Sequence, residues 1–124
     1  MSKKKHEKSP LMQRITDHFD LKKVRTYDIP DWGENPGEPL KVYIKPTTVR
    51  EKSQFVKDVE KWGTIQAYIK LIIVKALDEQ GKNLFTIKDE AELLTHSDTD
   101  ALMGLGLDIA YNPNGEKEDT LAEK

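Results

Sequence analysis

Apolar and polar positions along the chain keep two rhythms, a period near two before residue 46 and a helical period after residue 48. In residues 22–29, Val24, Tyr27 and Ile29 are strand-forming types, and Pro30 closes the run because proline cannot donate to a ladder. Leu40, Val42 and Ile44 then alternate with Lys41, Tyr43 and Lys45, which places the three aliphatic side chains on one face before Pro46. Between the two runs lies Asp31-Trp32-Gly33-Glu34-Asn35-Pro36-Gly37-Glu38-Pro39, dense in turn residues. Two strands around such a loop predict an antiparallel hairpin. The PxxP spacing of Pro36 and Pro39 matches a recognition motif, but in a connector the prolines shape the loop.

The helical rhythm is strongest in residues 65–77. Ile65, Tyr68, Ile69, Ile72, Ile73 and Ala76 follow the i, i+3, i+4, i+7, i+8 spacing of one apolar face. Ala67, Leu71 and Val74 form a second stripe on roughly the opposite side, and only Gln66, Lys70 and Lys75 interrupt the apolar girth. A helix apolar on nearly every side belongs in a core. The competing reading makes Ala67, Leu71 and Val74 a docking face for another protein. The run is too short and too charged to span a bilayer.

Around that helix the chain carries start and stop signals. Thr48-Val49-Arg50-Glu51 is a capping box, opening a helix with Phe55, Val56, Val59 and Trp62 on one side. Gly63 ends it, and Thr64 is placed to cap the central helix, which should stop at Asp78-Glu79-Gln80-Gly81 on a left-handed glycine. Leu84 and Phe85 return toward the core. Thr86-Ile87-Lys88-Asp89 and Ser97-Asp98-Thr99-Asp100 open two further helices, one through Leu93 and Leu94, the other through Ala101, Leu102, Leu105 and Ile109. Gly104 and Gly106 cost the last helix about 1 kcal/mol each against alanine, a cost that close packing by another backbone would offset.

The predicted architecture is α+β: an N-terminal antiparallel hairpin on a bundle of about four helices, with disordered ends. Residues 1–20 read as a flexible basic arm, residues 21–111 as one domain, and residues 112–124 as a flexible charged tail. Within the arm, Leu11, Ile15 and Phe19 recur every four residues and would support a short helix.

Composition narrows the chemistry. The chain has 124 residues, 34% of them charged, and a formal net charge of −2, so no overall field favours nucleic acid or an anionic membrane. The absence of cysteine removes disulfides, thiolate metal sites and cysteine nucleophiles, and it fits a cytosolic protein. No apolar signal-peptide segment follows the first lysines, so export by that route is not expected. His6, His18 and His96 stand far apart, none at metal-ligand spacing. A calcium loop with Gly81 at its sixth position would begin at Ala76 and end at Ile87, where carboxylates are required. Gly104-Leu105-Gly106 is half of a dinucleotide fingerprint, whose third glycine position holds Ile109. No Gly-x-Ser-x-Gly occurs. The expectation is a protein without catalytic residues, cofactor or metal. Trp32 in the loop and Trp62 at a helix end are anchor types for a protein partner, or covers for the edges of a small core.

Ile29-Pro30-Asp31-Trp32-Gly33, then Val42-Tyr43-Ile44-Lys45-Pro46-Thr47-Thr48-Val49-Arg50-Glu51, resembles the start of tail assembly chaperones from long-tailed, siphovirus-like bacteriophages and prophages. The likeness continues through Val74-Lys75-Ala76-Leu77 and through Asp78-Glu79-Gln80-Gly81-Lys82-Asn83-Leu84-Phe85, similar to that family's acidic-Gly-x-x-Leu-Phe segment, and covers about residues 29–111. The spacer of residues 34–39 is longer than in the family pattern, and the lysine-rich start lies outside it.

The resemblance implies a non-enzymatic helper in the cytoplasm of the bacterial host, absent from the mature virion. Its partner would be the phage tape measure protein, kept soluble until tube subunits assemble around it. It also implies a frameshifted C-terminal extension that recruits the tail tube protein, and it is compatible with a homo-oligomer; no nucleic acid or membrane partner is implied. Ala67, Leu71, Val74, Trp32 and Trp62 are the candidate contact residues. The alternative is a small structural component of the phage tail or head-tail connector.

Overall fold

The alternating runs become an antiparallel pair, β1 (Arg25–Ile29) and β2 (Leu40–Ile44), with Tyr27 opposite Val42 and Ile29 opposite Leu40. The computed structural model describes residues 8–112. Ile29, Val42 and Ile44 are buried, so one face of this small sheet is a wall of the core. Such a hairpin is marginal by itself. Here it lies against the helices, and Arg25 anchors it by donating from its guanidinium to the Asp108 carboxylate and, at 3.1 Å, to the Asp108 carbonyl.

Four helices follow: α2 (Val49–Trp62), α3 (Thr64–Lys75), α4 (Glu90–His96) and α5 (Thr99–Tyr111). Single 3-10 turns occupy Pro30–Trp32 and Ile87–Asp89. The Thr48 capping box forms as its spacing predicts: Glu51 N–H donates to Thr48 Oγ1 at 3.1 Å and Thr48 N–H to Glu51 Oε1 at 3.0 Å. The Thr86–Asp89 box closes in the same way ahead of the second 3-10 turn. Gly63 adopts φ +93°, a conformation that favours glycine, and both ends α2 and caps α3; Thr64 is the first helical residue and makes no capping bond. Asp98 precedes α5 likewise without a side-chain cap bond, while Ser97 Oγ donates to the Leu93 carbonyl at 2.6 Å.

The central helix is the core helix. Ala67, Ile69 and Ile72 have no exposed surface, and Tyr68, Leu71 and Ile73 are buried. Each large aliphatic side chain there contributes about 1.5–3 kcal/mol. α3 packs against α2, α5 and α4. Gly106 lets α5 approach α3 so closely that a Cβ there would lie 2.7 Å from Tyr68 Cβ and Cγ, and a Cβ on Gly104 would lie 2.8 Å from the Tyr27 hydroxyl. Both glycines thus face aromatic side chains rather than a neighbouring backbone.

Two expectations need correction. First, α3 ends at Lys75, before the acidic turn. Ala76 is already extended, and Leu77 pairs with Tyr43 on the open side of β2, with N–H···O distances of 3.0 and 2.8 Å. Gly81, at φ +84°, therefore serves a turn whose other support is Asp78 Oδ1, which accepts from Gln80 N–H and Lys82 N–H. Second, Ile65, in the first turn of α3, is 53% exposed and stays out of the core. The four-residue recurrence of Leu11, Ile15 and Phe19 does form a short helix, α1 (Pro10–Asp20), capped by Ser9, whose hydroxyl accepts from Met12 N–H. The remainder of the expected arm, residues 1–7, and the expected tail after Asn112 lie outside the described residues.

Candidate protein-binding groove

α2 and α3 run antiparallel from the glycine at 63, and between them lies a groove of about 280 Å³. Leu71, Val74 and Phe55 form its floor, and Arg50, Gln54 and Asp58 follow one another at helical spacing along the α2 rim. Lys70 stands on the α3 rim and Glu51 at one end. The floor is aliphatic and aromatic, and the rim carries charge of both signs. Glu51 and Val74 also line an adjoining crevice of about 460 Å³, shared with Phe19, Lys45, Pro46 and Lys75.

A buried cation fixes the shared end. Lys75 is only 4% exposed, and its Nζ donates to Glu51 Oε1 at 2.8 Å and to the Pro46 carbonyl at 3.2 Å. Burial pushes the Glu51 carboxyl up, but the bond from Lys75 and the Thr48 N–H outweigh it and hold it below the ordinary carboxylate range. The amphipathic count treats Lys75 as a break in the apolar girth. Its long stem instead crosses the core edge and brings the ammonium to a capping carboxylate. The sequence signal for this was the capping-box glutamate itself.

At the other end, Lys70 Nζ pairs with Glu90 Oε2 at 3.1 Å, and Gln66 Nε2 donates to the same oxygen at 2.9 Å. The Gln66 bond, helped by Lys70 against burial, holds the Glu90 carboxyl below its ordinary range. Lys61 and Lys70 each place an ammonium 5.1 Å from the Trp62 ring centroid. Trp62 is 46% exposed, so this pair of cations leaves much of the indole in water.

The five candidate contact residues divide. Val74, 57% exposed, and Leu71, at the floor, lie together in the groove, and Trp62 stands at the far end of α2. Ala67 has no exposed surface and belongs to the core. Trp32 is half-buried in its 3-10 turn, edge-on to Phe85 at 6.4 Å, where it closes the hairpin end of the core. Sequence reasoning missed the α2 rim. Its signal was the four-residue recurrence of Arg50, Gln54 and Asp58.

Among the described residues no group of three His, Cys, Asp or Glu is placed to hold a metal ion, and no helix is long and apolar enough to cross a membrane. His96 is exposed beside Glu92, at 3.0 Å. What the geometry offers is a shallow apolar trough with a mixed-charge rim, the form of a helix-binding surface.

Among solved structures, the chain is similar to the tail assembly chaperone of bacteriophage HK97, with a TM-score of 0.51 and 17% identity over 86% of this chain and 100% of that one. The likeness is one of fold, and it extends over the whole of the HK97 chain. No family model and no curated protein matches the sequence.

Proposed function

We propose that this chain is a phage tail assembly chaperone that binds the tape measure protein and keeps it soluble during tail morphogenesis. The observation that carries the reading is the fold shared with the whole HK97 tail assembly chaperone. The exposed Val74 and the groove beside it support it, since a long apolar helix needs a trough of this kind. The client helix lies between α2 and α3, its aliphatic side chains against Leu71 and Val74 and its polar side chains among Arg50, Asp58 and Lys70. Trp62 extends that contact at the far end. Many weak copies along one client would gain by avidity.

The chaperone acts in the host cytoplasm and leaves before the particle is complete. A longer, frameshifted form carrying a tail-tube-binding extension is part of the same reading, as is self-association along the client. Mass spectrometry of purified particles tests it against the structural alternative: the chain is absent from mature virions if it is a chaperone. Stoichiometric amounts in the particle would make it a tail or connector component instead.

A further inference from the structure

α1 is an amphipathic helix whose apolar stripe is largely left in water. Leu11, Met12 and Ile15 are 55%, 41% and 49% exposed on one face, and the helix buries none of its residues. A helix of 11 residues is marginal alone in water, so this stripe calls for a partner surface. One end of it is already seated: Phe19 lines the crevice that shares Glu51 and Val74 with the groove between α2 and α3.

We propose that α1 is a strap that closes over this groove, its Leu11/Ile15/Phe19 stripe occupying the site that the proposed client helix would use. The proposal rests on that functional reading for the client, though not for the strap's own docking. The spacing is matched. With Phe19 level with Glu51, four residues back along α1 and four forward along α2 are each about 6 Å, which brings Ile15 level with Phe55. Another turn brings Leu11 toward Asp58, at the far end of the α2 rim. The stripe from Leu11 to Phe19 is about 12 Å long, a match for the two turns of α2 that line the trough. The connector, residues 21–24, spans at most about 14 Å, so the strap cannot leave the vicinity. Tethering at this distance corresponds to an effective concentration of order millimolar, which favours the chain's own helix over one from a second copy. The arrangement here, with Phe19 seated and Ile15 in water, is the open position. A client displaces a surface the chain otherwise covers itself, and the free chaperone is shielded from aggregation.

Because the chain has no cysteine, disulfide trapping in the full-length protein reads this directly. Ile15→Cys with Gln54→Cys should oxidise to an intramolecular disulfide at least about tenfold faster than Gln13→Cys with Gln54→Cys, whose position 13 lies on the opposite face of α1. Equal rates, or covalent dimers in place of the intramolecular product, would overturn the strap. In a second arm, Leu11→Asp with Ile15→Asp, both on exposed positions, should raise affinity for a tape measure helix several-fold. Fast trapping with unchanged client affinity would overturn competition between strap and client. Loss of client binding in every variant, with trapping intact, would count against the proposed function alone.

Discussion

Gly106 is where α5 presses hardest on α3, and replacing it with alanine gives the sharpest check on how the core is packed. The added Cβ would fall 2.7 Å from Tyr68 Cβ and Cγ and 3.1 Å from Cδ1. Those atoms cannot swing aside: Tyr68 is 5% exposed, and its ring is stacked on Phe55 at 5.6 Å. Overpacking of this kind costs about 1–3 kcal/mol, against a helix-propensity gain of about 1 kcal/mol for Gly→Ala. The net expectation is a loss of up to about 2 kcal/mol. Gly104→Ala is the built-in control. Its Cβ meets only the Tyr27 hydroxyl, at 2.8 Å, the far end of a half-buried side chain. Tyr27 can move, so the propensity gain leaves stability near unchanged or slightly higher. Urea denaturation followed by circular dichroism reads both variants, and each kcal/mol corresponds to about 4–8 °C in Tm for a domain of this size. If Gly106→Ala matched Gly104→Ala, or stabilised the fold, the close crossing of α3 and α5 would be wrong.

Three further outcomes follow from the groove. Glu51→Ala should cost about 2–3 kcal/mol in denaturant titration, since it removes a cap and strands the buried Lys75 ammonium, whereas Lys75→Met, which removes the charge but keeps the stem, should cost clearly less. Glu51 and Glu90 both titrate below the ordinary carboxylate range when folded, so the unfolded chain binds more protons as pH falls. Their contribution is full above the ordinary carboxylate range and is lost as pH drops through the folded values; a Glu51→Gln, Glu90→Gln chain should show a flatter acid limb in a stability-against-pH series. Val74→Glu, at a position 57% exposed, should change stability by no more than about 0.5 kcal/mol, and a larger loss would mean that Val74 is not an open part of the groove floor.

The hairpin, the capping boxes and the core helix were legible because each rests on a local rule. Period-two alternation set the inward face of β2, and Thr48 and Thr86 announced their helices by side-chain chemistry alone. What was not legible depends on contacts between distant residues. Leu77 leaves the helical rhythm because Tyr43 offers it a strand edge, a pairing no window around residue 77 contains. Lys75 reads as solvent-facing until Glu51 and the Pro46 carbonyl are brought beside it. The stripe of Ala67, Leu71 and Val74 was drawn from angle alone, and angle cannot say that its Ala67 end is wholly buried while Val74 stays open. Gly104 and Gly106 were recognised as unusual, but the aromatic rings that explain them come from β1 and α3.

The central claim is that the trough between α2 and α3 receives an apolar client helix, and co-expression with the tape measure protein tests it most directly. The wild-type chain should hold the tape measure protein in the soluble fraction and co-purify with it, and Val74→Glu, equally folded, should lose both effects. Equal solubilisation by the two chains, or none by either, would contradict the account.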